Sequence, residues 1–375
     1  MGRWFESIAA HYLRWLLRLK VRTAGFHPAN RGSIPLGVKI LQSVSTSLRE
    51  DRRWCAALLP KVSRTFALNI GLLRGELREA VLVGYLICRA LDSIEDGQGS
   101  VQQKKIWLKN LIDDLAQVSV GSETSPWNVS AGQLAPVPAE KTLLVEFSRV
   151  LRAYRALPAA MRTAMLPPIH RMAEGMAEML TRFEGQSLAW IRSLKELEEY
   201  CYYVAGTVGE MLTALFRLGL RPGEAPGLEP RQVAFGLGLQ FTNILKDWRS
   251  DLGRGWCYLP RDLMGLGEAG PPETVGDPSP NSPLWRVLFA RTLALLGEAL
   301  AYTSELPRRR LRTRWFCAVP LLLAVDSLVA LTEGRTKMSR SQVFATLRET
   351  LWASLTNRGL QRAFAKRRLR LQAWA

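Results

Sequence analysis

Two stretches, each carrying a pair of aspartates four residues apart, constrain this 375-residue chain more than anything else in it. Gln240-Phe-Thr-Asn-Ile-Leu-Lys-Asp-Trp-Arg-Ser-Asp251 puts Asp247 and Asp251 one turn apart on one helix face, and Asn243 and Gln240 continue the stripe. Phe241, Ile244, Leu245 and Trp248 fill the other positions, so the helix is expected well inside the protein. Taken alone, this stretch reads equally well as a solvated face with two acids on it. Tyr85-Leu-Ile-Cys-Arg-Ala-Leu-Asp-Ser-Ile-Glu-Asp96 repeats the geometry about 150 residues earlier, with Asp92 and Asp96 as the pair and Arg89 and Tyr85 along their face. Two such helices with apolar approaches predict opposed walls of one cavity. Paired carboxylates with a carboxamide oxygen suit a hard cation such as magnesium, which takes one or two carboxylates and leaves positions for substrate oxygens. Ions held there would grip a diphosphate, and neutralising it as it departs is a route to a carbocation.

Charge and cysteine content narrow the class. The formal charge of +18 fits nucleic acid, an anionic membrane surface or anionic substrates. No zinc-finger spacing or RNA-binding motif is present, and the basic residues sit towards both ends rather than in one stripe, so nucleic acid is not expected as a partner. Cys55, Cys88, Cys201, Cys257 and Cys317 are odd in number and widely spaced, which predicts buried thiols in a reducing compartment. Helical periodicity dominates and strand-like alternation is scarce. Phe235-Gly-Leu-Gly238 lacks the third glycine and the preceding strand of a dinucleotide fingerprint and reads as helix packing.

Further segments join the aspartate pairs: Ser63-Arg-Thr-Phe66, Arg171-Met-Ala-Glu-Gly-Met-Ala-Glu178, Tyr200-Cys-Tyr-Tyr-Val-Ala-Gly-Thr-Val-Gly209, Tyr258-Leu-Pro260 and Phe316-Cys-Ala-Val-Pro320. Together they resemble the squalene/phytoene synthase family from about Ser63 to Arg340, and the wording of Cys88 to Asp96 is closer to its squalene synthases. The resemblance implies an all-α, single-domain isoprenoid-synthase bundle around a central cavity. The implied reaction joins two farnesyl diphosphates head to head through presqualene diphosphate, with NADPH reducing the product to squalene. Presqualene diphosphate, dehydrosqualene and phytoene are the family alternatives, and a non-catalytic relative is the alternative from another class. Asp92, Asp96, Asn243, Asp247 and Asp251 are then the expected magnesium ligands, and Tyr200 is expected to assist proton handling. Arg64, Phe66, Tyr85, Arg89, Val204, Gln240, Asn243 and Phe316 are expected to contact the prenyl diphosphate. Two positions depart from the family pattern: Ser250 stands where a Glu is usual, and Trp256 where an Arg is usual, with Arg254 the nearest base.

The expected organisation is a poorly structured or non-native extension over 1–40, the synthase domain over 41–350 and a basic tail over 351–375. Gly32-Ser-Ile-Pro35 is what the T-arm of a transfer RNA gene would encode in one frame, while Tyr12 to Lys20 is a short basic amphipathic segment. Val118 to Pro138 and Gly265 to Pro283 read as loops. For the basic runs Pro307 to Arg314 and Arg358 to Arg370, solvated charge is one reading and membrane or phosphate contact the other. The most apolar run, Trp315 to Leu331, contains Asp326 and matches a core helix of the family. A cytoplasmic monomer, peripheral at a membrane surface if associated with one, is expected, without the C-terminal anchor of eukaryotic squalene synthases.

Overall fold

The periodic segments become helices almost throughout. The computed structural model describes residues 36–117, 127, 129–135, 137–264 and 276–374, with side chains from 47 onward. The N-terminal amphipathic segment, the Gly32–Pro35 run, and most of the two Gly/Pro-rich loops lie outside these residues. Among the described residues fourteen α-helices of eight residues or more form the bundle: α1 Leu36–Val62, α2 Arg64–Leu72, α3 Gly75–Glu95, α4 Val101–Ala116, α5 Pro138–Val145, α6 Phe147–Arg155 and α7 Ala159–Arg182. Then come α8 Leu194–Cys201, α9 Thr207–Arg217, α10 Gln232–Leu252, α11 Pro283–Glu305, α12 Leu311–Thr332, α13 Arg340–Ala353 and α14 Asn357–Leu369. Short polar side chains set many of the starts. Ser63, Ser193 and Thr356 cap α2, α8 and α14, and Ser100 and Ser339 form reciprocal capping boxes with Gln103 and Gln342.

The two aspartate helices are both core helices. Almost every residue of α3 from Ala80 to Glu95 is buried, and it packs against α1, α5, α6, α7 and α9. α10 packs against α9, α11 and α12. α9 therefore touches both and holds them apart. Its approach to α10 depends on missing side chains: a Cβ at Gly209 would lie 2.0 Å from the Gln232 carbonyl oxygen, and one at Gly236 2.1 Å from that of Ala205. The Phe235–Gly238 run is helix packing, as its sequence suggests. Between α8 and α9 the chain forms a π-helical turn, Tyr202–Gly206.

A two-residue parallel ladder, β1 Ala189–Trp190 with β2 Trp256–Cys257, is the only sheet among the described residues. It fastens the segment after α10. Ala189 donates to the Gly255 carbonyl at 2.9 Å, Ile191 to that of Cys257 at 3.0 Å, and the Trp190 indole to that of Leu259 at 2.9 Å.

The C-terminal third closes the bundle. By length and composition α12 could cross a membrane, but 67% of its most apolar stretch is buried inside the protein. The segment read as a basic tail is largely helical and packed, with Leu360, Ala363, Phe364, Leu371 and Trp374 buried. Arg367 within it is buried too, paired with Asp326 at 2.9 Å and Glu349 at 2.8 Å. Solvated charge also fails for the last residue of the Pro307–Arg314 run. Arg314 has no exposed surface and donates to the carbonyls of Thr303, Ser304, Leu306 and Ser354 and to Asn357 Oδ1. All five cysteines are buried free thiols, as their spacing predicts.

Candidate active site

The last three turns of α3 and of α10 line opposite sides of a cavity of about 400 Å³. Its wall contains Asp92 and Asp96 from α3 and Gln240, Asn243, Asp247 and Asp251 from α10, as the spacing of the two stretches predicts. Arg89, Tyr200 and Val204 complete the expected residues found there. Four expected contacts lie elsewhere. Arg64 is half-buried at the start of α2. Phe66 is 38% exposed and rests on Tyr85, ring centroids 5.0 Å apart, on the α3 face that leads down to Arg89. Phe316 is a core residue set edge-on to Phe216.

Five residues of the wall are not among the expected site residues: Glu95, Ile244, Ser250, Arg254 and Tyr258. Glu95, between the first pair in sequence, also reaches the cavity, so five carboxylates face two guanidinium groups, Arg89 and Arg254. Fully ionised, that is an excess of three negative charges. Arg254 pairs with Asp251, so the base displaced from position 256 still reaches the site. Ser250 lines the cavity as well and supplies no charge. Tyr258 stacks on Tyr200 with centroids 4.8 Å apart and their hydroxyls 3.0 Å apart. Trp256 in turn stacks on Tyr258 at 5.6 Å, so the unusual aromatic buttresses the tyrosine pair. Arg89 is held from behind by buried Glu140, 51 residues away, which no local pattern could reveal.

The electrostatics follow from crowding. Burial pushes the Asp92 carboxyl up to about 7, with Arg89 opposing and Asp96 and Glu140 adding to the rise. Burial likewise raises Asp96, against the pull of Arg254, and raises Asp251, again against Arg254. Glu95 is raised well above its ordinary range by burial and by Asp96 and Asp92, and its Oε1 has no hydrogen-bond partner. Burial also keeps the Tyr200 and Tyr258 phenols protonated across the physiological range. Carboxylates so disfavoured by one another suit a divalent cation. Among the described residues no three His, Cys, Asp or Glu side chains converge to hold a metal by themselves.

Residues 59–349 match the squalene/phytoene synthase family. The chain is 30% identical over 319 residues to the squalene synthase of Eremothecium gossypii, covering 82% of this chain and 68% of that protein. It is 29% identical over 290 residues to the squalene synthase of Schizosaccharomyces pombe, covering 75% of this chain and 60% of that protein. The chain thus spans 60 to 68% of the length of these two relatives. A solved structure of TcSQS in complex with the ligand E5700 superposes with a TM-score of 0.71 at 27% identity, over 86% of this chain and 92% of that one.

Proposed function

Because the chain belongs to the squalene/phytoene synthase family, we propose that its cavity joins two farnesyl diphosphates head to head, giving presqualene diphosphate and then, with hydride from NADPH, squalene. The observation that carries this reading is the opposition of two aspartate pairs across one cavity, with a buried tyrosine pair in its wall. Asp92 and Asp96 on one side and Asn243, Asp247 and Asp251 on the other would hold magnesium, which when bound supplies the positive charge that steadies a departing diphosphate. Arg89 and Arg254, each anchored by a carboxylate, present fixed cations to the same anion. Val204 and Ile244 give the wall its apolar part, where an allylic chain keeps water from a cation. Tyr200 and Tyr258 are held as phenols, so the pair takes up a proton only by passing one on. It works as a relay towards the diphosphate and not as a reservoir.

The experiment is incubation of purified protein with farnesyl diphosphate and magnesium, with and without NADPH, and mass spectrometry of the lipids. Squalene formed only with NADPH is the expected result. Presqualene diphosphate or dehydrosqualene in both reactions would replace the reductive reading, and turnover confined to geranylgeranyl diphosphate would make the product phytoene. Folded protein that turns over neither substrate would sink the enzymatic reading and point to Ser250 and Trp256.

Metal binding has its own readout. The Asp92 carboxyl titrates at about 7 in the folded state and near its ordinary value of 3.8 when unfolded. Between those values the folded protein holds the extra proton, so the cluster's contribution to metal-free stability falls as pH rises through about 7. Magnesium is therefore expected to raise the melting temperature most above about pH 7 and progressively less below it. A magnesium effect that grows on acidification would contradict the assigned ligands.

A further inference from the structure

Arg89 stands between two carboxylates and is committed to only one of them. Its Nη2 donates to Glu140, while its Nη1 lies 3.7 Å from Asp92 Oδ2, too far for a hydrogen bond. Its Nε is buried and has no hydrogen-bond partner. The guanidinium therefore has donors to spare, one short movement away from a carboxylate that is expected to bind metal.

Glu140 is well placed to hold it back. It sits in the first turn of α5, where the helix end favours a negative charge, and α5 packs against α3. Leu143 and Leu144, on the next turn of α5, are completely buried and fix that helix against the core. The Glu140 side chain is 9% exposed, against 33% for Asp92. Arg89 and Asp92 both line the cavity, and Glu140 does not: it touches Arg89 from behind the wall. Without the Glu140 charge a buried guanidinium would be left uncompensated, and the carboxylate remaining beside it is Asp92, one turn along α3.

We propose that Glu140 is a positioning residue for the metal site: by holding Arg89 from behind, it keeps that guanidinium off Asp92 and leaves the Asp92 oxygens open to a divalent cation. Were Arg89 to close on Asp92, charge-assisted hydrogen bonds would occupy the oxygens that the cation needs. Magnesium would then have to displace a cation already in place, and its affinity would fall. This role rests on the proposed assignment of Asp92 as a metal ligand, and it is independent of which prenyl product forms.

The test is magnesium binding by the full-length protein without substrate, followed as the rise in melting temperature over a magnesium titration. Glu140→Gln keeps the shape and removes the charge, and the half-saturating magnesium concentration is expected to rise about tenfold. Combining it with Arg89→Met removes the competing cation as well, and should return that concentration to the wild-type value or below it. A plain tie between α3 and α5 predicts no such rescue, because the double variant has lost the tie too. Glu140→Asp, one methylene short, should fall between wild type and Glu140→Gln, and takes its place if that variant does not fold. Unchanged magnesium dependence in the folded Glu140 variant overturns the role, as does a double variant that binds magnesium as weakly as Glu140→Gln alone. A wild type whose melting temperature does not respond to magnesium overturns it too. Turnover of farnesyl diphosphate is measured alongside. The expected magnesium pattern without turnover would keep the positioning role and remove the proposed reaction; turnover with equal magnesium dependence in wild type and variants would do the reverse.

Discussion

Asp92→Asn is expected to cut turnover of farnesyl diphosphate by about 100- to 1000-fold while leaving the melting temperature of the metal-free protein unchanged or raised. The two halves of that expectation come from the same crowding. Asp92 is held against its neighbours Asp96 and Glu140 in a desolvated wall, so its charge costs the fold something. Arg89 does not lose its anchor when Asp92 is neutralised, because Glu140 holds it from the other side. An amide of the same shape removes the repulsion and the cation's ligand together. A residue kept for structure would lose stability on substitution, so activity and melting temperature falling together would count against the role. Asp247→Asn tests the opposite wall, where Lys246 lies 3.2 Å from both Asp247 and Asn243. If the two walls grip one diphosphate, the double variant should be about as impaired as the worse single one, since half a grip is no grip. Losses that multiply would mean that the two pairs act separately.

Arg314→Leu is expected to destabilise the protein by about 3–5 kcal/mol, measured by denaturant or thermal unfolding, with little direct effect on the cavity. Arg314 is a buried cation with no carboxylate in contact; backbone dipoles replace one. Thr303, Ser304 and Leu306 close α11, and Ser354 closes α13, so one guanidinium caps the carbonyl ends of two helices where cations are favoured. Burial nonetheless lowers its pKa, with Arg308 adding to the effect. Leucine leaves these oxygens buried and unpartnered. Lysine has one ammonium to offer where the guanidinium presents a fork, so Arg314→Lys should recover only part of the loss. Full stability in Arg314→Lys would mean that charge alone, and not the fork, is what the site needs.

These two residues show what the chain declares openly and what it conceals. The aspartate pairs were legible because helix periodicity alone turns a four-residue spacing into a shared face, and because each run had apolar flanks that drive it inward. Arg314 was concealed. It closes a basic run whose other members are exposed, and only the three-dimensional meeting of α11, α13 and α14 decides which arginine turns in. Glu140 was hidden for the same reason, since its partner Arg89 lies far off in sequence. Tyr258 was visible only as part of a motif, and the stacking that makes it a partner of Tyr200 depends on a two-residue ladder too short to leave a pattern. Phe66 and Phe316 lie outside the wall of the described cavity for another reason: an aromatic near a motif says nothing about whether it faces a cavity, a neighbour ring or solvent.

The π turn at Tyr202–Gly206 has a consequence for how such a cavity can be altered. One extra residue in a helix shifts the angular phase of everything after it by about 100° relative to everything before, because 3.6 residues make a turn. Here the break falls between Tyr200, hydrogen-bonded in the wall, and Gly209, wedged against the backbone of α10. The two halves of this helix are thus keyed to different partners, and the single supernumerary residue lets both keys fit at once. Deleting one residue from the turn would restore regular winding and force a choice between them. Substitutions at Val204 tune the wall by volume; a one-residue deletion would re-index it.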